Sequence, residues 1–226
     1  MKKSEATIKN LFDLDHTIAK ELMEAHEYPW EVLEGISDFI MKTGPSLPEE
    51  EYYNPVENVW IHKTVKAYQT VSIIGPAIIG EDTEIRPGAF IRGGVIAGKN
   101  CVMGNSCEYK NCILFDNVQT PHYNYIGDSI IGYKSHTGAQ ALTSNVKSDK
   151  KPVVIHFEDE DVKTDRKKVG SMIGDNVEVG CGCVLNPGTV IGRNTNIYPL
   201  TSVRGAISAD SIVKSTSHMV AKKTED

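Results

Sequence analysis

A six-residue repeat constrains this chain more than any other feature. From Ile173 the sequence divides without a gap into IGDNVE, VGCGCV, LNPGTV, IGRNTN and IYPLTS, and Val203 opens the next block. Each block begins with Ile, Val or Leu, and its fifth residue is small or β-branched. Further hexads occur from Ile79 and from Ile131. The chain is therefore expected to fold as a stack of similar units.

The period of six fits neither an amphipathic helix nor an alternating strand. It fits a short strand followed by a tight turn, in which the aliphatic and the small fifth residue face a narrow interior and glycine frees the backbone at the corner. Three hexads close one triangular coil, and coils stack at roughly 4.8 Å. An ordinary parallel β/α protein would need helical crossovers, which are absent here. We predict an all-β fold: a single-stranded left-handed parallel β-helix (hexapeptide repeat) with a short N-terminal helical segment.

The repeat divides the chain into three parts. Residues 1–50 show apolar residues at helical spacing followed by a polar stretch with Pro48, which predicts a helical segment and a linker. Residues 51–205 carry the β-helix, interrupted at 146–171 by a charged insertion that we expect to project as a loop or β-hairpin. Residues 206–226 are expected to form a C-terminal tail.

Charge and cysteine content narrow the possible functions. The formal net charge is -6, which argues against broad nucleic-acid binding, because that needs clustered positive charge. The apolar runs are too short to span a bilayer, and the first residues do not resemble a signal peptide. We therefore expect a cytoplasmic chain with no membrane partner. Its five cysteines are expected to be free thiols.

Catalytic or binding residues are expected where the six-residue period is interrupted. Residues 117–128 interrupt the hexads and contain His122 and Tyr125. A histidine titrates near neutral pH, so it can act as general base for an amine or hydroxyl that attacks a thioester. Taken alone, a histidine in a β-helix is more often a solvated turn residue.

Five segments strengthen the case for His122. They are IRPG at 85–88, EYKN at 108–111, PHYNYIGD at 121–128, GAQ to TSN at 138–145, and IGDNVEVG at 173–180. In this order they resemble the acetyltransferase domain of bifunctional UDP-N-acetylglucosamine pyrophosphorylase/glucosamine-1-phosphate acetyltransferases. The insertion is similar to that of archaeal-type sugar-1-phosphate nucleotidylyltransferase/acetyltransferases. The resemblance covers residues 70–226 and does not include a nucleotidyltransferase half.

The resemblance implies a role for each of several residues. His122 would be the general base, with acetyl-CoA as the acyl donor. Asn145 and the backbone of Cys181 would hold acetyl-CoA. The acceptor, an amino sugar phosphate or nucleotide-linked sugar, would be contacted by Arg86, Lys110, Tyr125, His136 and Lys151. No metal is expected, and the site would lie between the subunits of a homotrimer.

Departures from the family pattern leave other functions open. His136 stands where the relatives have Asn, Val146 replaces a frequent Tyr, and the tail is short. One alternative is a catalytically silent scaffold or a regulatory sugar-phosphate-binding module. Another is a γ-type carbonic anhydrase, whose zinc is bound by three histidines of adjacent chains. His122 and His136 are too far apart in the repeat to match that zinc site.

Overall fold

The computed structural model describes residues 1–214. The N-terminal part is helical and is made of short elements, as expected for residues 1–50. The α-helices are α1 (Ile8–Leu11), α2 (Lys20–Glu24), α3 (Pro29–Val32) and α4 (Ile36–Thr43), and 3₁₀ turns lie at Lys3–Glu5, Leu14–His16 and Gly44–Ser46.

Short strands make up the rest of the described chain. They are β1 (Tyr52–Tyr53), β2 (Val59–His62), β3 (Lys66–Ala67), β4 (Ser72–Ile74), β5 (Ala77–Ile79), β6 (Glu84–Ile85), β7 (Phe90–Arg92), β8 (Val95–Ala97), β9 (Val102–Asn105), β10 (Glu108–Leu114), β11 (Gln119–His122), β12 (Tyr125–Ile131), β13 (His136–Thr137), β14 (Leu142–Thr143), β15 (Val154–His156), β16 (Asp161–Lys163), β17 (Ser171–Ile173), β18 (Glu178–Val179), β19 (Val184–Leu185), β20 (Thr189–Ile191), β21 (Asn196–Ile197), β22 (Ser202–Val203), β23 (Ala206–Ile207) and β24 (Ile212–Val213).

These strands stack in three parallel ladders, the flanks of a triangular prism. The first flank contains β2, β5, β8, the end of β10, the end of β12, β17, β20 and β23. The second contains β3, β6, β9, β11, β13, β18, β21 and β24. The third contains β4, β7, the start of β10, the start of β12, β14, β19 and β22. The predicted left-handed parallel β-helix is confirmed.

The hexads fill the interior of the prism in the predicted way. The opening residues Ile79, Ile173 and Ile191 are fully buried, and so are the fifth residues Cys183 and Thr189. The burial of a threonine in so narrow a core requires a partner for its hydroxyl. Thr189 Oγ1 donates to the carbonyl oxygen of Asn186 at 2.7 Å, which satisfies it locally.

Glycine frees the backbone, as predicted, at corners such as that of Gly188 (φ 78°), but the glycine at the second position of the hexad has a different role. Between the first and second flanks, the left-handed backbone conformation is adopted by residues such as Asn100 (φ 52°) and Asn194 (φ 56°), a conformation that asparagine tolerates. Gly98 is outside that region, but a Cβ on it would lie 2.7 Å from the backbone nitrogen of Asp116 in the next coil. Glycine is required there because successive coils approach so closely.

The N-terminal segment packs on the first flank. Helix α4 contacts β5, β8 and β10, and the rings of Phe12 and Phe115 lie 5.2 Å apart. The backbone N–H of Asp116 donates to the carbonyl oxygen of His16 at 2.9 Å. Residues 1–47 are therefore part of the folded body. None of the helices within residues 1–214 is long and apolar enough to cross a membrane.

The insertion contains the β-hairpin that was one of its two predicted forms, with β15 and β16 paired antiparallel. The hairpin does not project freely, because Val153 and Ile155 are fully buried. A Cβ on Gly188 would lie 2.8 Å from Val153 Cγ1, so the hairpin rests on the corner around Gly188. The ring of Phe157 also lies 5.8 Å from that of Trp30 in the N-terminal segment.

The regular coil continues past residue 205. Strand β23 pairs with β20 and strand β24 pairs with β21, so the predicted tail of 206–226 begins as further β-helix. The sequence hid this because Ala206 and Ser208 depart from the aliphatic–glycine pattern. The remainder of the predicted tail, 215–226, lies outside the described residues.

Candidate functional site

A buried carboxylate organises the corner between the third and first flanks. Asp128 lies at the bend of β12 with φ 48° and is 2% exposed. Its Oδ1 accepts hydrogen bonds from Lys110 Nζ at 3.1 Å and from Asn111 Nδ2 at 3.0 Å. Its Oδ2 accepts from Asn145 Nδ2 at 2.6 Å and from Lys110 Nζ at 3.2 Å. A buried charge needs this number of partners, and here they come from the coils on either side.

Tyr125 completes the cluster. Its hydroxyl oxygen accepts a hydrogen bond from Asn145 Nδ2 at 3.1 Å. Glycine at position 127 leaves room for this ring, since a Cβ there would lie 2.4 Å from the Tyr125 hydroxyl. Burial raises the pKa of Tyr125, although the Asn145 hydrogen bond acts in the opposite direction. The hydroxyl therefore keeps its proton at neutral pH.

A cavity of about 540 Å³ opens over Lys110 and Asp128. Two other parts of the chain form its walls: the N-terminal segment at Leu33 and Glu34, and the insertion at 165–168, which includes Arg166. Arg166 and Glu34 form an ion pair of 3.1 Å between those walls. The cavity is thus built from three regions that are distant in sequence.

His122 lies at the opposite edge of the third flank. It is the last residue of β11, and its exposed side chain lies next to Tyr123, which has φ 52° and is 59% exposed. The buried amide of Asn124 holds this turn: its Oδ1 accepts from the His122 N–H at 3.1 Å, and its Nδ2 donates to the carbonyl oxygen of Gly138 at 2.8 Å. The turn is fixed, while the imidazole remains accessible.

Cys181 lies on the same edge as His122. The Gln140 N–H donates to the His122 carbonyl oxygen at 3.0 Å, and the Gly182 N–H donates to the Ala139 carbonyl oxygen at 2.8 Å. His122, Ala139 and Cys181 therefore occupy one column of three successive coils, which spans roughly 10 Å at the usual strand spacing. The column is a straight, exposed path along the prism.

Of the other three predicted residues, His136 and Lys151 lie apart from both groups, and Arg86 lies beside the His122 column. His136 Nδ1 contacts Glu178 Oε2 at 2.9 Å on the outer face of the second flank. Arg86 Nε donates to Glu84 Oε2 at 3.0 Å, two coils before His122. Lys151 is exposed at the start of the insertion, where its backbone N–H donates to Asp149 Oδ1 at 3.1 Å.

Within a single copy of the chain, three of the predicted residues therefore lie together: Lys110, Tyr125 and Asn145. His122 and Cys181 lie on a separate edge. His122 and Asp128 are six positions apart, which on fully extended backbone would separate their Cα atoms by at most roughly 20 Å. Within residues 1–214, no group of three or more His, Cys, Asp or Glu side chains is arranged to hold a metal ion.

Sequence reasoning missed two residues. Asp128 was present in the segment PHYNYIGD but received no role, and neither did the buried Asn124. A signal existed, because Asp128 follows a glycine at the point where the hexads resume, and aspartate tolerates the left-handed conformation needed at a corner. Its three donors come from coils 17 or 18 residues away, which is one turn of the repeat.

Comparison with known proteins agrees with this organisation. Residues 73–165 match the family model of the GMPPB C-terminal domain, and residues 170–205 match the bacterial transferase hexapeptide repeat. The bifunctional protein GlmU of Methanococcus maripaludis strain C5 is 34% identical over 198 residues, which cover 87% of this chain and 48% of the relative. This chain is a hexapeptide-repeat protein homologous to one part of GlmU.

The match is limited to part of each relative. A bifunctional sugar-1-phosphate nucleotidylyltransferase/acetyltransferase of Sulfurisphaera tokodaii is 33% identical over 148 residues, which cover 57% of this chain and 37% of the relative. The chain spans about half the length of the GlmU relatives that match 87% of it. Among solved structures, UDP-N-acetylglucosamine acyltransferase of Campylobacter jejuni is similar, with 12% identity, a TM-score of 0.37, and coverage of 67% of this chain and 70% of that one.

Proposed function

We propose that this chain is a coenzyme-A-dependent acyltransferase that moves an acetyl group from acetyl-CoA to an amino sugar phosphate or a nucleotide-linked sugar. The observation that carries the proposal is the cluster of Lys110, Tyr125 and Asn145 around Asp128, at the motif positions of a GlmU homologue. The similar bifunctional sugar-1-phosphate nucleotidylyltransferase/acetyltransferase of Sulfurisphaera tokodaii supports it.

The roles follow from the chemistry of each group. His122 accepts a proton from the attacking amine as nitrogen bonds to the thioester carbonyl carbon, and it returns that proton to the departing CoA sulfur. The products are the N-acetyl sugar and free CoA thiol. Lys110 provides a cation for the sugar phosphate, and Tyr125 provides a hydroxyl donor beside it. The exposed column from His122 to Cys181 provides a path for the extended arm of acetyl-CoA.

A second copy of the chain is part of the proposal. His122 and Lys110 lie toward opposite edges of one flank, so an acceptor whose phosphate is held by Lys110 must be met by the general base either across that flank or from a neighbouring copy. A homotrimer in which the His122 edge of one copy faces the Lys110 edge of the next would complete the site. Arg86 and Lys151 would approach the acceptor in the same way.

The test is acetyl transfer from acetyl-CoA to glucosamine 1-phosphate, with the acetylated sugar measured by mass spectrometry. His122→Ala is expected to lower kcat by roughly 10²–10⁴-fold, the usual contribution of a general base. The variant should fold normally, because the side chain is exposed. The control is His62→Ala, since His62 hydrogen-bonds to Thr64 at 2.9 Å in the first coil, far from the site.

Two further results would distinguish the acyltransferase from the alternatives. If His122→Ala turned over at the wild-type rate, the proposed mechanism would be wrong. If the wild-type protein bound no acetyl-CoA in calorimetry at millimolar ligand, the catalytically silent scaffold would be favoured instead. Mixed oligomers of His122→Ala and Lys110→Ala chains should recover activity that neither variant shows alone, provided that the site is shared between copies.

A further inference from the structure

The hydrogen bonds around Asp128 fix which atoms the neighbouring side chains can offer to a ligand. A carboxylate only accepts hydrogen bonds, so the atom of Asn145 that lies 2.6 Å from Asp128 Oδ2 must be its amide nitrogen. The second hydrogen of the same nitrogen is directed to the Tyr125 hydroxyl oxygen at 3.1 Å. Both donors of the Asn145 amide are therefore used inside the protein.

The remaining atoms form a defined pattern. Asn145 Oδ1 accepts no hydrogen bond from any residue in the part of the chain that the structure describes, so it is the atom left to meet a ligand. The Tyr125 oxygen already accepts from Asn145, which leaves its own hydrogen to be donated. Lys110 Nζ has three hydrogens and a side chain that is 27% exposed, so part of the ammonium remains available beside the cavity.

We propose that Asp128 is a positioning residue that sets this pattern: a cation at Lys110, a hydroxyl donor at Tyr125 and a carbonyl acceptor at Asn145. The inference rests on the proposed function, for which it specifies the acceptor. A ligand that matches the pattern carries an anionic group for Lys110, an oxygen acceptor for Tyr125 and an N–H or O–H donor for Asn145. An amino sugar phosphate has all three, whereas the carbonyl oxygen of a thioester has no hydrogen for Asn145 Oδ1.

The kinetic test compares two buried aspartates. Asp128→Asn keeps the shape of the side chain but allows the Asn145 amide to flip, so that its nitrogen and oxygen exchange places. It is expected to lower kcat/KM by roughly 100-fold, as a small misplacement of reacting groups does. KM for glucosamine 1-phosphate should rise more than KM for acetyl-CoA. The control is Asp175→Asn, because Asp175 is also a buried corner aspartate and pairs with Arg193 at 3.3 Å, away from the cavity. It should leave both KM values unchanged.

Exchanging the two side chains provides a rescue experiment. Asn145→Asp alone places two carboxylates in contact and should be at least as damaging as Asp128→Asn. In the double variant Asp128→Asn with Asn145→Asp, an amide again donates to a carboxylate and position 145 again presents an acceptor, but the Tyr125 hydroxyl loses its donor, so recovery is expected to be partial. Activity should recover at least 5-fold over the worse single variant. A double variant that is no better than either single one would overturn the proposed polarity.

A spectroscopic readout keeps this inference separate from the proposed activity. With ¹⁵N-asparagine labelling, the Asn145 side-chain NH₂ signals are identified by their loss in Asn145→Asp. They should exchange with water at least 10-fold more slowly in the wild type than in Asp128→Leu, with the exposed Asn54 amide as reference. Equal exchange rates would overturn the role of Asp128 even in an active enzyme. Slow exchange in a protein without acetyl transfer would instead reject only the proposed function.

Discussion

The first and second flanks of the β-helix share one backbone ladder but have opposite outward faces. On the first flank, the middle residue of the six successive strands from β5 to β20 points outward and is nevertheless fully buried; these residues are Ile78, Ile96, Ile113, Ile130, Met172 and Val190. The stacked outward residues of the second flank are Glu84, Val102, Gln119, His136, Glu178 and Asn196, and each retains some exposure.

The comparison shows that the hexad controls only the inside of the prism. Interior positions on both flanks obey the same rule, because every coil must close around the same narrow core. Closing the coil places no constraint on the outward positions, so their polarity indicates whether another part of the protein covers that flank. An apolar outward stripe requires a cover, and the N-terminal segment with α4 supplies it. The polar second flank needs none.

Charge introduced under the cover should have the largest effect. Ile113→Asp places a carboxylate at a fully buried position beneath α4, and we expect a loss of at least about 4 kcal/mol in the free energy of unfolding. Urea unfolding, or loss of soluble protein, measures it. Gln119→Asp, on the outward stripe of the second flank, should change stability by less than about 0.5 kcal/mol. Equal effects would show that the two flanks are covered alike.

Weakening the contact between the N-terminal segment and the insertion should have an intermediate effect on stability. Trp30 is 5% exposed and packs between Tyr28, at 4.8 Å, and Phe157, at 5.8 Å. Trp30→Ala is expected to cost about 3 kcal/mol and to speed trypsin cleavage within the first 47 residues. Tyr68→Ala serves as control, since Tyr68 is 50% exposed. Unchanged cleavage would mean that the cover is held without this contact.

The smallest effect concerns a carboxylate at the margin of the cover. Burial raises the pKa of Asp116 above 3.8, against a backbone hydrogen bond from Lys99 and the charge of His16. The folded state therefore binds the proton more tightly than the unfolded chain, so ionisation of Asp116 lowers stability as the pH rises from 3.8 through its folded pKa. The side chain of Asp116→Asn cannot ionise. Over that pH range, the free energy of unfolding of this variant should therefore rise relative to that of the wild type, by less than about 1 kcal/mol. A difference in unfolding free energy that is independent of pH would contradict this account.

The candidate site also combines features that the sequence pattern predicts with features that it does not. The broken period at 117–128 pointed to His122 and Tyr125, and the ordered motifs pointed to Lys110 and Asn145. Their mutual placement did not follow from those patterns. Lys110, Asp128 and Asn145 meet because shortened corners in two coils change the 18-residue register to 17, so that β10 and β12 each bend across two flanks. A one-residue change in register is hard to locate from the hexads alone, because the period is already irregular there.

The sequence by itself determined the coil, because a period of six with one aliphatic and one small inward residue admits only a narrow three-sided stack. It also marked the insertion, since charges at 146–171 cannot enter that core. Only the tertiary structure decided that residues 1–47 cover the first flank, that the insertion hairpin lies against the prism, and that Asp128 joins three coils. Each of these depends on contacts between segments far apart in the chain, for which a local repeat carries no information.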